Sequence, residues 1–270
     1  MAASKGTSIA CYWLVLLLQK NRLLLQSSPT SAAARAPPTH PRTSTPSVAM
    51  VASAAAAVST RLRRCYRTHD AYTVRVAGRN VLATVTAHPA AARRWVHTTW
   101  WRHARRLRSG AGLTVGLGVQ WTADLDGESS SSPAATLQLC AGHRCLVLHL
   151  ARARAVPDAL RRLLADPRRV CFVGYDVRSD CRRLLRGEHA LAVAPGGGCH
   201  ELRAVTGMGN ESMERMAERL LGYPGIKKSG RVAMSDWDRR RLSEEQVEYA
   251  CVDAVVACRL GERLGVADRR

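Results

Sequence analysis

Tyr249 and Asp253 stand four residues apart in the run Glu248-Tyr-Ala-Cys-Val-Asp253-Ala, so on a helix they share one face. Val247, Ala250, Cys251, Ala254 and Cys258 supply small packing residues around them. An acid set among such neighbours must be neutralised, paired or bound to a metal ion. A second acid, Asp180, falls near the start of a helix expected directly after the apolar run Val170-Cys-Phe-Val-Gly-Tyr175, where the helix N-terminus by itself favours an anion. A third stretch, Thr114-Val-Gly-Leu-Gly-Val-Gln-Trp121, alternates strictly. Val115, Leu117, Val119 and Trp121 point to one face of a strand, and Gly116, Gly118 and Gln120 to the other. Glycine inside a strand gives up packing and marks close approach by a ligand or another backbone.

The elements that must carry these residues can be read from pattern. Ser243-Glu-Glu-Gln246 makes a capping box and predicts a helix from 243 to about 264 under Tyr249 and Asp253. The run 170–175 reads as a strand buried on both faces, which belongs to a sheet covered by helices on both sides. A helix over 177–186, ended by Gly187, carries Asp180. Upstream, 71–76 and 80–87 alternate like two strands around an Ala77-Gly-Arg79 turn, and His88-Pro89 opens a helical run to about Arg108. Its Trp95, Trp100 and Trp101 are expected to pack on the sheet while its arginines reach solvent; the alternative is that they stack on bases. Residues 135–150 read as a hairpin, 156–166 and 212–222 as helices, 123–134 as a polar insertion and 196–198 as a glycine loop. Strands first, then helices alternating with a buried strand, predict an α/β sandwich around one mixed sheet.

Composition bounds the function classes. The chain has 270 residues, 41 Lys+Arg against 21 Asp+Glu, and a formal charge of +20, which suits phosphate-bearing partners or acidic membranes better than cationic ones. Only four of the basic residues are lysine. The excess is concentrated upstream, because nine basic residues and no acid precede Asp70. Nine cysteines show no Cys-x-x-Cys spacing and read as buried apolar residues in a reducing compartment. Cys140, His143 and Cys145 read as the two sides of a hairpin turn rather than a zinc site. Residues 1–66 are expected to be a disordered basic region rich in Ala, Ser, Pro and Arg, with the folded domain at 67–266 and a tail at 267–270. Ile9–Leu18 is too short an apolar run to span a bilayer. The region fits a signal peptide, an organellar transit segment, or an extension upstream of a start at Met50. An intracellular location, nuclear or cytoplasmic, is the favoured expectation.

Several of these stretches together resemble the DEDDy-type 3′–5′ exonucleases of the ribonuclease D and Werner-syndrome group, especially the plant Werner-like branch. Leu242–Ala254 is similar to the third motif of that family and Phe172–Leu185 to the second, with Asp180 at the metal-binding position. Residues 67–76, 135–140 and 235–246 are similar to the segments around and between the motifs, so the resemblance runs over about 67–265 in consistent order. It implies a ribonuclease H-like mixed sheet flanked by helices on both faces, Mg²⁺ or Mn²⁺ as cofactor, and nucleic acid, DNA or RNA, as partner. It also implies Asp180 and Asp253 as metal ligands and Tyr249 as the group that orients the attacking water. The first family motif is a strand bearing Asp-x-Glu, and Gly118 and Gln120 occupy those two positions here. With half of its carboxylates gone, such a site is expected to hold metal weakly and to cleave poorly. Asp124, Asp126 and Glu128 just downstream are candidates to replace the lost acids, although the register of the strand opposes it. The expected function is therefore nucleic-acid binding by a catalytically impaired exonuclease domain. An active exonuclease is the first alternative. A protein-interaction module, for instance one that pairs with an active homologue, is the second.

Overall fold

The computed structural model of the chain describes residues 57–122, 132–194 and 197–268. The expectations for residues 1–56 and for Asp124, Asp126 and Glu128 lie outside the described residues. The sheet starts before the expected boundary at 67, because Val58–Cys65 is a strand, β1. Its exposed Arg61, Arg63 and Arg64 match the basic composition upstream and obscure the half-buried Val58 and Leu62. β2 (Asp70–Val76) and β3 (Arg79–Thr86) pair antiparallel across the Ala77-Gly78 turn.

The long helix expected over 88–108 is two helices. α1 (Pro89–Arg102) starts with proline in its first turn and His88 Nδ1 accepting from the Ala90 N–H. α2 (Ala104–Arg108) follows after His103 and buries no residue. Helical stability in proteins comes chiefly from a packed face, and here that face ends with α1. The tryptophans divide accordingly: Trp95 is buried, Trp100 half-buried and Trp101 74% exposed.

β4 (Leu113–Gln120) is buried along its whole length. The chain continues through β5 (Thr136–Ala141), β6 (Arg144–His149), α3 (Asp158–Leu164), β7 (Val170–Gly174) and α4 (Val177–Arg186). It then forms β8 (Cys199–Glu201), α5 (Leu202–Thr206), α6 (Met213–Leu221), α7 (Gly230–Ala233) and α8 (Glu244–Arg263). The strands order as β1-β2-β3-β6-β5-β4-β7-β8 in one mixed sheet, parallel at β3/β6, β4/β7 and β7/β8.

Two cores cover the two faces. Val115, Leu117, Val119, Phe172 and Leu184 pack with Trp95 of α1 and Leu160 of α3. Val74, Val81, Val173 and Met216 pack with the buried stripe of α8 on the other side. The capping box at Ser243 is formed, and the Gln246 amide also donates to Ser235 Oγ at 2.9 Å and to the Asp236 carbonyl at 2.8 Å. That pair of bonds ties the incoming loop to the first turn of α8. The expected tail is folded as far as Asp268: Ala267 is buried and Asp268 pairs with Arg106 at 2.5 Å.

Candidate active site

The β4 face that carries Gly116, Gly118 and Gln120 lies under α8. At Gly116 the helix backbone rests on the strand, and an added Cβ would lie 1.9 Å from the Ala254 carbonyl oxygen and 2.6 Å from the Cys258 nitrogen. Only glycine permits that approach. Gly118 has a different neighbour. Its cross-strand partner is Gln138 of β5, and an added Cβ would lie 2.9 Å from Gln138 Oε1 and 3.6 Å from Asp253 Cβ. The space beside Gly118 is thus filled by a carboxamide. Gln138 is fully buried, its amide donates to Thr136 Oγ1 at 2.6 Å, and its Oε1 has no hydrogen-bond partner among the described residues.

Asp253 extends from α8 toward the same end of β4. Gln120 Nε2 donates to Asp253 Oδ2 at 2.9 Å, and Lys228 Nζ lies 2.6 Å from Oδ1. The side chains of Lys228 and Asp253 are only 17% and 13% exposed. The ammonium also sits 4.7 Å from the Tyr249 ring centroid, a cation–π distance. Burial alone would lower the Lys228 pKa, but the Asp253 charge, followed by Tyr249 and Glu214, raises it above the ordinary lysine value. Burial pushes the Tyr249 phenol up to about 12, with Lys228 opposing, so it stays protonated at neutral pH. Trp237, fully buried, packs beside Tyr249 with ring centroids 6.0 Å apart.

Asp180 reaches the site from α4, in the opposite helical layer. It is 5% exposed, and its pKa stands well above the carboxylate range, first through burial and then through the negative charges of Asp176 and Asp253. Arg183 opposes that shift from one turn along. Its guanidinium lies 3.9 Å from the Trp121 ring centroid and donates to the Ser132 carbonyl at 2.5 Å. Asp176 has φ = 61°, an uncommon conformation for a non-glycine residue. Glu201 of β8 anchors it, with the N–H groups of Asp176 and Val177 donating to the two Glu201 oxygens at 3.1 and 3.0 Å.

The structure therefore gathers Asp180, Tyr249, Asp253, Gly118 and Gln120 at one end of β4. It adds Lys228, Gln138, Asp176 and Glu201, which the sequence motifs do not single out. Two of these carried a signal. Gln138 is a polar residue in the middle of an apolar strand opposite Gly118, and Lys228 is one of four lysines in a chain whose cations are otherwise arginine. Among the described residues, no three of His, Cys, Asp or Glu converge in a metal-binding arrangement.

The sequence model described as 3′–5′ exonuclease matches residues 122–266, more than half of the chain, starting two residues beyond Gln120. A 3′–5′ exonuclease of Drosophila mojavensis is 30% identical over 138 residues, which cover 48% of this chain and 41% of that protein. Exonuclease 3′–5′ domain-containing protein 2 of Mus musculus is 31% identical over 158 residues, covering 54% and 23%. The match thus spans less than half the length of these relatives. Among solved structures, the catalytic core of RRP6 from Trypanosoma brucei superposes with a TM-score of 0.54 at 14% identity, over 68% of this chain and 46% of that one. RNase D from the same organism gives 0.50 at 15%, over 67% and 64%. At that identity the likeness shows the fold alone, a ribonuclease H-like α/β architecture.

Proposed function

The chain belongs to the 3′–5′ exonuclease family, and from that premise we propose that it binds nucleic acid through a domain whose metal-dependent cleavage is impaired. One observation carries the reading: both oxygens of Asp253 already have cationic or N–H partners within the protein, Lys228 Nζ on one and Gln120 Nε2 on the other.

The divalent ions that the family implies do not fit this donor set. Magnesium needs hard, preferably anionic oxygens in near-octahedral array. Gly118 supplies no side chain, and Gln120 turns its N–H₂ toward Asp253. Gln138 Oε1, which has no hydrogen-bond partner among the described residues, is uncharged. A metal ion at Asp253 must also displace an ammonium already seated there. If removing that pair is worth about 2 kcal/mol, below the range for fully buried pairs because both partners keep some exposure, the competition alone weakens metal binding roughly 30-fold. The arrangement supports a site in which lysine provides internally the positive charge that a metal would bring. The motif resemblance of residues 172–185 and 242–254 supports placing the chain near the plant Werner-like branch.

The test is incubation of the purified chain with 3′-labelled single- and double-stranded DNA and RNA in Mg²⁺ or Mn²⁺. We expect salt-sensitive retention without shortening. Shortening that disappears in Asp253→Asn overturns impairment and establishes an active exonuclease. Absence of both retention and shortening favours a protein-interaction module.

A further inference from the structure

The opposite end of β4 carries a second feature that the nuclease site does not use. An open groove of about 510 Å³ lies between α1, α2 and α3, and its floor includes Trp100, Leu107 and Ala159. Its rim carries His97, Arg108, Arg162 and Arg169, and no acidic residue among the described residues lines it. Arg169 is committed: it pairs with Asp166 at 2.6 Å and lies 5.0 Å from the Trp100 ring centroid. Arg108 and Arg162 are exposed and have no hydrogen-bond or ion-pair partner among the described residues. The neighbouring Trp101 is 74% exposed. The position is fixed by the strands, since the Leu113 N–H donates to the Arg169 carbonyl at 2.8 Å where β4 and β7 begin. Asp253 and Gln120 meet at the far end of β4, roughly 20 Å away at the usual strand rise.

We propose that this groove binds single-stranded nucleic acid, with a base against Trp100 and backbone phosphates on Arg108 and Arg162. The inference rests on the nucleic-acid-binding reading above and assigns that reading a surface remote from the degenerate site. The volume suits one nucleotide-sized group. An aromatic face supplies stacking that tolerates any base, while unpaired guanidinium groups supply the phosphate contacts. The carboxylate beside the rim, Asp166, is already paired with Arg169, so the unpaired arginines favour an anionic strand over a basic peptide.

The experiment is fluorescence anisotropy of the full chain with a labelled oligothymidylate across a salt series. Arg108→Gln/Arg162→Gln should weaken binding at least tenfold and lower the slope of log affinity against log salt by about 1.4, the value for two phosphates on a single strand. A matched neutralisation on α6 in the other layer, Arg215→Gln/Arg219→Gln, should change affinity less than threefold. Trp100→Leu should weaken binding about tenfold, and an abasic strand of equal length should not distinguish it from the parent. If the parent chain binds the strand but the groove variant behaves like the α6 variant, the groove assignment is overturned and the nucleic-acid reading stands. If the parent chain binds no strand at all, that reading fails and takes the groove with it. An abasic strand held as tightly as the oligothymidylate overturns the stacking on Trp100.

Discussion

Gly116 and Gly118 sit on the same face of the same strand, two residues apart, yet different constraints surround them. At Gly116 the neighbour is backbone: α8 lies so close that a single methyl would penetrate the Ala254 carbonyl. At Gly118 the nearest atom is the tip of a side chain, Gln138 Oε1, and the next is Asp253 Cβ. One glycine serves the packing of the fold. The other stands where the family resemblance places an acid, with neutral and internally paired groups filling the surroundings. Glycine in a strand signals close approach in both cases, and the neighbour is helix backbone at one position and a side-chain tip at the other.

The comparison can be pressed hardest by rebuilding the second position. A chain with Gly118→Asp, Gln120→Glu, Gln138→Ser and Lys228→Ala introduces two acids, clears space for them and removes the resident cation. In Mn²⁺ it should shorten 3′-labelled strands at least about 10³-fold faster than the parent, because metal and positioning supply most of the stabilisation in such reactions. An equal rate before and after rebuilding would separate Gly118 from catalysis. Next in size is Gly116→Ala, which forces α8 off the sheet and should cost about 4 kcal/mol or prevent folding. Gly118→Ala should cost about 1 kcal/mol, since Gln138 can retract. Denaturant midpoints of the two variants read the difference directly, and equal losses would dissolve the distinction.

Smaller effects test the charges. Lys228→Ala leaves Asp253 short of a partner and should destabilise by about 2 kcal/mol, a fall of roughly 4–8 °C in thermal midpoint. Lys228→Met, which keeps the volume, should lose a similar amount if the charge matters more than the packing. Asp180→Asn should do the reverse and stabilise by about 1 kcal/mol at pH 7. Its direction follows from linkage. The folded-state pKa of Asp180 is raised, so the folded chain binds a proton that the unfolded chain releases above about pH 4. The parent therefore loses stability relative to the variant as pH rises from about 4 toward neutrality. Thermal midpoints that converge near pH 3 and separate by pH 7 would bear this out, and the opposite trend would show an ionised, stabilising Asp180.

Much of the site was legible because its residues lie on strongly patterned elements. The capping box fixes the start of α8 and hence the shared face of Tyr249 and Asp253, and the alternation through Trp121 fixes which way Gly118 and Gln120 face. β1 was hidden because an edge strand with exposed arginines looks like the basic region before it, and β8 because three residues carry no period. The break at His103 was invisible to propensity, since arginine continues a helix well; lost packing shows only in three dimensions. Lys228 stood out only as a rare lysine, and nothing in the sequence placed it at Asp253. Its loop has no period, and its distance from Asp253 along the chain says nothing about the 2.6 Å between them.

The most direct test of the central claim, that an internal ammonium has taken the place of the metal at Asp253, is calorimetric titration of the parent chain with Mn²⁺. The account predicts no saturable binding below millimolar concentrations. Two manganese ions per chain bound at micromolar concentration would contradict it.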